Sequence, residues 1–373
     1  MAQLVFVHGV ANRDTPEYRQ AVVNRQVLFC ELLFQHKNVT FHSPMWGEFV
    51  PSIPTEVFAT NDKGVGTFSL NVGVGSGLGG GLMGGAKKTG ASDISIGAIG
   101  KQDPVAALDA ICSQMVDRAV AEKRPFTFEE LHAFRTAVEL MNTDKADAVF
   151  NGDASPQSIV GVFNATAPTP FSITSMIGDA VSVVTDRVRN TLSTLGFNAI
   201  RGNLSPAIGL FMSDVFVYLK DGEVRRSIQK TVREALITAH DSAKGGGGPL
   251  VVVGHSMGGV ILVDMLTDPQ SAGLPDGLSV DALLTVGSQP GFFAALDLVA
   301  LKRPRHRPDC VKHWLNVFDP IDPLAFRSDM IFEGVTDLEF NSLAGIAEAH
   351  SKYFQRPQFY ARTRKRLQEF NVL

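Results

Sequence analysis

Residues 250–266 read LVVVGHSMGGVILVDML, and the fold turns on how this stretch is read. The apolar run 250–253 predicts a buried strand, GHSMGG at 254–259 a sharp turn, and 260–266 a buried helix. Strand, glycine turn and helix in direct succession are what a nucleophile elbow requires, with the G-x-S-x-G serine, Ser256, held on a strained bend. Gly254, Gly258 and Gly259 leave room where a Cβ would obstruct that bend. In a chain with 35 glycines the five-residue motif alone is a weak signal, and the strand and helix around it make it specific. The bland alternative is a strand-to-helix turn carrying an incidental serine.

A serine hydroxyl is a poor nucleophile at neutral pH, so it needs a base, and the base needs an orienting acid. With an elbow of this type the chain order is serine, acid, histidine. Of nine histidines only His306, His313 and His350 follow Ser256. His306 sits in the loop sequence KRPRHRP, and His313 opens a strand ahead of the acid loop. His350, in EAHSKYF, follows every candidate acid loop and is the expected base. WLNVFDPIDPLAF at 314–326 offers two acids: Asp319 directly off a strand, and Asp322 at the loop tip. Asp322 is better placed to turn back towards the base, with Asp319 the open alternative; the other of the pair is expected to cap the loop. The oxyanion formed on attack needs backbone donors. Those expected are the N–H of Met257, after the nucleophile, and that of Val10, in FVHGV at 6–10. Gly9 permits close approach of that loop, and His8 is expected to support it.

The rest of the chain frames this site. Strands are predicted at 4–8, 38–42, 282–286 and 314–318. Helices are predicted at 17–34, 104–123, 128–141, 207–219, 223–240 and 353–370, with a turn at 245–248. Strands alternating with helices indicate an α/β protein with a mostly parallel sheet. Residues 48–208 fall outside a minimal sheet and are expected to form an inserted, mainly helical cap or lid, leaving 1–47 and 209–373 as the core. Within it, 64–86 holds ten glycines and no charge, so 64–100 is expected to be a mobile flap. The uncharged run 154–178 is broken by Pro156, Pro168 and Pro170, and neither run makes a credible spanning helix. Apolar segments of the insertion suit an apolar substrate or simply the cap's own packing.

Composition excludes some classes. Hydrophobic residues at 45% support a large core, and a net charge of −4 gives no basic footprint for nucleic acid. Cys30, Cys112 and Cys310 are an odd count without zinc spacing, so free buried thiols are expected, with no metal and no cofactor. MAQLVFVHGV lacks the features of a signal peptide, so a cytoplasmic location is expected. The basic runs 302–308 and 361–366 are expected to be solvated; contact with anionic lipid headgroups, and so peripheral membrane binding, is the alternative. No feature sets the oligomeric state.

Together FVHG, GHSMGG, GSQPG and DPIDPLAF followed by AHSKYF resemble bacterial lipase- and esterase-like members of the α/β-hydrolase superfamily. The resemblance covers roughly residues 2–47 and 209–373. It implies a sheet of eight strands or a trimmed version, and a serine hydrolase acting on a lipid or acyl ester. It also implies an acid in a D-x-x-P/A loop, which falls on Asp322. The chain departs from the pattern twice: it starts at the strand bearing HG, without the usual two preceding strands, and its insertion precedes the nucleophile strand. The alternatives are a thioesterase, a serine peptidase or a non-catalytic module that retains the fold.

Overall fold

The computed structural model describes residues 1–10, 12–35, 38–51, 100–143, 145–150, 156–165, 213–220, 222–298, 305–341 and 346–373. Six strands form one all-parallel sheet: β1 (Ala2–Val7), β2 (Val39–His42), β3 (Leu250–His255), β4 (Val280–Val286), β5 (Val311–Phe318) and β6 (Val335–Glu339). Their order across the sheet is β2-β1-β3-β4-β5-β6. The helices are α1 (Pro16–Leu28), α2 (Pro104–Ala121), α3 (Phe128–Asn142), α4 (Ala146–Phe150), α5 (Pro156–Ala165), α6 (Glu223–Gly246), α7 (Met257–Thr267), α8 (Pro290–Ala295), α9 (Ile346–Lys352) and α10 (Pro357–Glu369). Residues 213–219 are also helical.

Parallel strands joined by helical crossovers are covered on both faces, which is why the strands read as nearly unbroken apolar runs. The two-residue alternation divides each strand between two cores. Leu4, Phe6, Val251, Val253, Leu284 and Val317 face α1, α2, α3 and α10, while Val5, Val7, Val252, Leu283 and Trp314 face α6 and α7. Helix ends follow local chemistry. Thr15 caps α1 through the Tyr18 N–H, Thr127 and Glu130 form a capping box on α3, and Gly247 closes α6 at φ 63°.

Several sequence expectations change. α2 and α3 do not stand apart in a cap. Ala107, Leu108, Ile111, Phe134 and Ala137 share one core with β1 and α10. The Gln358 N–H donates to Asp109 and Lys352 pairs with Asp117 across the same junction. An insertion's length says nothing about which of its helices fold back onto the sheet. The flap expected at 64–100 lies outside the described residues except for Gly100, as do most of 154–178 and the 166–208 part of the insertion. The helix expected at 17–34 passes into a π-helical turn (Phe29–Leu33), and α6 continues into the glycines read as a turn. β6 and α8 were not anticipated. All three cysteines are free, but only Cys112 is buried; Cys30 and Cys310 are half-buried. The 361–366 run is not a solvated patch throughout: Arg364 is buried and donates to the Leu33 carbonyl, and Arg362 donates to the Glu339 carbonyl. Among the described residues no helix is long and apolar enough to cross a membrane.

Candidate active site

The sheet order reverses between β1 and β3: the chain goes from β1 to β2 on one side and from β3 to β4 on the other. At such a switch point the loops leaving the two strands diverge and open a crevice at their carboxyl ends, where ligands of open α/β sheets bind. Ser256 lies there, between β3 and α7, with φ 53° and ψ −127°. That conformation costs a residue with a side chain roughly 1–3 kcal/mol. Backbone approach around it is close enough to demand glycine. A Cβ on Gly258 would lie 2.2 Å from the Val7 carbonyl oxygen, and one on Gly254 would lie 2.5 Å from the Gly259 Cα. The Ser256 N–H donates to the Val286 carbonyl (3.0 Å), and Ser288 Oγ donates to the Ser256 carbonyl (2.6 Å), so the bend is pinned from β4.

The structure brings His350 and Asp322 together. His350 Nδ1 lies 2.9 Å from Asp322 Oδ2. A carboxylate can only accept there, so Nδ1 is the nitrogen that carries the proton in the neutral ring. Asp322 is buried, and its carboxylate also accepts from Tyr353 Oη (2.9 Å) and the Leu324 N–H (2.9 Å). Asp319 is bonded within its own loop. It accepts the Ile321 N–H on Oδ1 at 3.0 Å, and its own N–H donates to Tyr353 Oη at 2.9 Å, so it braces the loop. Gln289 spans from the Gly287 carbonyl to the Leu324 carbonyl and ties the β4 loop to the acid loop. Ser256 Oγ and His350 Nε2 are both buried, and neither has a hydrogen-bond partner among the described residues. His313 stacks on Phe370 at 4.2 Å within β5, and His306 is exposed, bonded to the Arg307 carbonyl; neither joins the site.

The loop after β1 comes against Ser256: a Cβ on Gly9 would stand 2.7 Å from Ser256 Cβ. Asn12 Nδ2 holds the carbonyls of Gly9 (2.9 Å) and Val10 (3.1 Å). His8 Nδ1 lies 2.7 Å from the Gly9 carbonyl, and its Nε2 accepts the Trp46 N–H at 3.2 Å. Burial depresses the His8 pKa to about 3, so the ring is a neutral brace stacked on Trp46 at 4.8 Å. Met257 opens α7, so its N–H has no intrahelical acceptor. Arg13 in the same β1 loop pairs with the buried Asp214 at 3.0 Å, clamping helical segment 213–219 beside the site.

Two site residues escaped the sequence reading. His255, the variable position of the motif, donates through Nε2 to the His350 carbonyl (2.8 Å) and packs against the His350 ring at 5.0 Å. Burial and then the neighbouring His350 hold its pKa well below the usual histidine range. Tyr353 fell within an aromatic pair read only as the start of a helix. No family model matches the chain, and no curated protein or solved structure is similar to it.

Proposed function

We propose that the protein is a serine hydrolase of the α/β-hydrolase type that cleaves a carboxylic ester, of a lipid or another acyl compound, through an acyl-enzyme on Ser256. One observation carries the reading: a strained, buried serine hydroxyl and a buried imidazole nitrogen, each without a partner, with the other imidazole nitrogen fixed on a buried carboxylate. A packing role gives no reason to leave both atoms unbonded, because buried polar groups are nearly always paired.

In this mechanism His350 Nε2 takes the Ser256 proton as Oγ adds to the ester carbonyl. Asp322 holds the ring and stabilises the imidazolium. The N–H groups of Val10 and Met257 receive the oxyanion, and each such donor is typically worth about 10²–10³ in turnover. His350 returns the proton to the departing alkoxide, which leaves as the alcohol. Water, deprotonated by the same nitrogen, then attacks the acyl-enzyme and frees the acid. His255 and Tyr353 are positioning residues, since one holds the His350 backbone and the other the Asp322 carboxylate.

The test is labelling with a fluorophosphonate, followed by turnover of p-nitrophenyl esters of rising chain length beside thioester and peptide substrates. Ser256→Ala is expected to abolish labelling and to lower turnover on the order of 10⁴–10⁶-fold without unfolding the chain. Labelling that survives in this variant overturns the assignment. Preference for the thioester or the peptide over the ester moves the reading to those classes, and a wild-type chain inert to the probe and to every substrate indicates a binding module.

A further inference from the structure

Beside the triad lies a second set of buried polar atoms with no partner: Tyr18 Oη, Arg25 Nη1 and Ser43 Oγ. Tyr18 and Arg25 lie seven residues apart on α1, hence on one face of it. Ser43 follows directly on β2, at the carboxyl end of the sheet. The three converge. Burial raises the Tyr18 pKa, and the charge of Arg25, with long hydrogen bonds from Ser43 and Arg25 to the Tyr18 hydroxyl, counters that rise; none of these bonds is of ordinary length.

The cluster adjoins the nucleophile through two short chains of contacts. The Arg25 guanidinium sits 4.2 Å from the Phe6 ring centroid and 5.8 Å from that of Phe354. Phe354 packs edge-on against His255, the residue before Ser256, at 5.4 Å. Tyr18 packs edge-on against His8 at 5.4 Å, and His8 leads into Gly9, whose backbone abuts Ser256.

A buried guanidinium stays charged and is normally paired with an anion. Among the described residues, the ionisable groups that favour the Arg25 charge are two tyrosines, Tyr18 and Tyr360, and no carboxylate. Asp14, the acid that acts on Tyr18, is bonded to Arg19. The contact with Phe6 offsets only part of the cost of burying an ion. A guanidinium nitrogen and two hydroxyls that lie together, joined by no bond of ordinary length, are the donors that an oxyanion accepts.

On the strength of the hydrolase reading above, we propose that Tyr18, Arg25 and Ser43 form a subsite for a carboxylate or phosphate group carried by the substrate of Ser256. The substrate class is thereby narrowed to esters bearing an anionic group near the scissile bond, with the hydroxyls orienting it and Arg25 neutralising it.

Matched p-nitrophenyl esters test this: the hemiglutarate, with an anionic acyl end, against the valerate, its neutral counterpart. The wild-type chain is expected to favour the hemiglutarate in kcat/KM. Arg25→Met keeps an apolar stem on Phe6, and it is expected to lower kcat/KM for the hemiglutarate roughly 10²-fold while leaving the valerate within about tenfold of wild type. Equal losses on both esters, or no preference in the wild type, overturn the subsite. A second arm does not depend on turnover. Glutarate and inorganic phosphate, each at matched ionic strength, are added to the wild-type chain, Ser256→Ala and Arg25→Met, and the melting temperature is followed. Stabilisation of the first two but not of Arg25→Met supports the subsite, and the stronger of the two anions names its chemistry. Equal shifts in all three, or none, overturn it. Failure of the hydrolase reading shows differently, as no turnover of either ester with the anion-dependent shift intact.

Discussion

On the β5 side of the nucleophile, Asp319 and Asp322 are bonded through their backbones and through their side chains. On the β1–β2 side, Tyr18, Arg25 and Ser43 end in buried atoms with no partner. Both sets sit at the same end of one sheet, and both are polar and enclosed. The acid side is the more heavily bonded: Gln289 Nε2 ties it to β4, and Asn316 donates to the Phe326 carbonyl and to Asp337, each at 2.9 Å, although Gln289 Oε1 and Ser328 Oγ are also buried without a partner among the described residues. The other side, with Ser256 Oγ and His350 Nε2, is left open, and an open buried donor is costly unless a reactant completes it. The Asp322 carboxylate is thus held by three donors, while the atoms assigned to the proposed chemistry are left free.

The sharpest way to break this contrast lies within the acid loop. Asp322→Asn is expected to lower kcat on the order of 10⁴-fold, because an amide fixes the wrong imidazole tautomer and cannot stabilise the imidazolium. Asp319→Asn retains an oxygen for the Ile321 N–H and is expected to cost less than about tenfold. Steady-state kinetics on one ester decides it. Equal effects would mean that Asp322 is as much a brace as Asp319.

Acid lability probes the open side. His8 and His255 are neutral in the folded chain, His8 with a pKa of about 3 and His255 well below 6.5, both through burial. Unfolding restores the ordinary value of about 6.5. Below that pH the unfolded chain binds protons that the folded chain refuses, so stability falls as pH falls, by about 1.4 kcal/mol per unit for each histidine. Asp109 on α2 acts in the reverse sense. Burial raises its pKa from 3.8 to about 7, so its stabilising contribution is complete below 3.8 and is lost as pH rises through about 7. Between these limits two protons oppose one, and urea midpoints are expected to peak near pH 6.5 and decline on the acid side. Asp109→Asn should roughly double the acid slope. A profile that rises from pH 6.5 to 4.5, with Asp109 alone setting its slope, would show that the two histidines titrate normally.

The contrast also explains what was legible in advance. GHSMGG declares itself because a strained serine bend needs glycine at fixed places, and the order of acid and histidine follows from the topology of the elbow. β6, with the sequence VTDLE, alternates polar and apolar residues at a half-exposed edge and carries no run to notice. His255 occupies the position the motif leaves free. Arg25 reads as an ordinary helix residue until the fold shows that, among the described residues, no acid pairs with it. Helices α2 and α3 were assigned to a cap by position, although AALDAICSQMV at 106–116 has the apolar content of a core helix.

A smaller effect is expected where support and chemistry meet. Tyr353→Phe removes one of three donors to the Asp322 carboxylate and the acceptor of the Asp319 N–H, and it leaves that N–H buried. The expected cost is about 1–3 kcal/mol in stability, with kcat lowered no more than about tenfold. Urea unfolding and ester kinetics on the same sample separate the two. A collapse of activity without loss of stability would move Tyr353 from the scaffold into the reacting part.

The smallest effect concerns the strain at Ser256. Ser256→Ala and Ser256→Gly should be equally inactive, since neither has a nucleophile. They should differ in stability. At φ 53° and ψ −127° alanine carries the same backbone penalty as serine, while glycine carries almost none. Glycine gives back part of the gain, roughly 0.4–1 kcal/mol, through the greater freedom of its unfolded chain. It also loses the Cβ that packs beside Gly9. The net expectation is that Ser256→Gly exceeds Ser256→Ala by about 1 kcal/mol in urea unfolding. That ordering would show the bend to be held against its local preference by the bonds from Val286 and Ser288, strain kept at the one residue whose hydroxyl must stand exposed to a substrate. An alanine variant as stable as the glycine variant would mean that the bend relaxes in the folded chain, and the elbow would lose its main physical support.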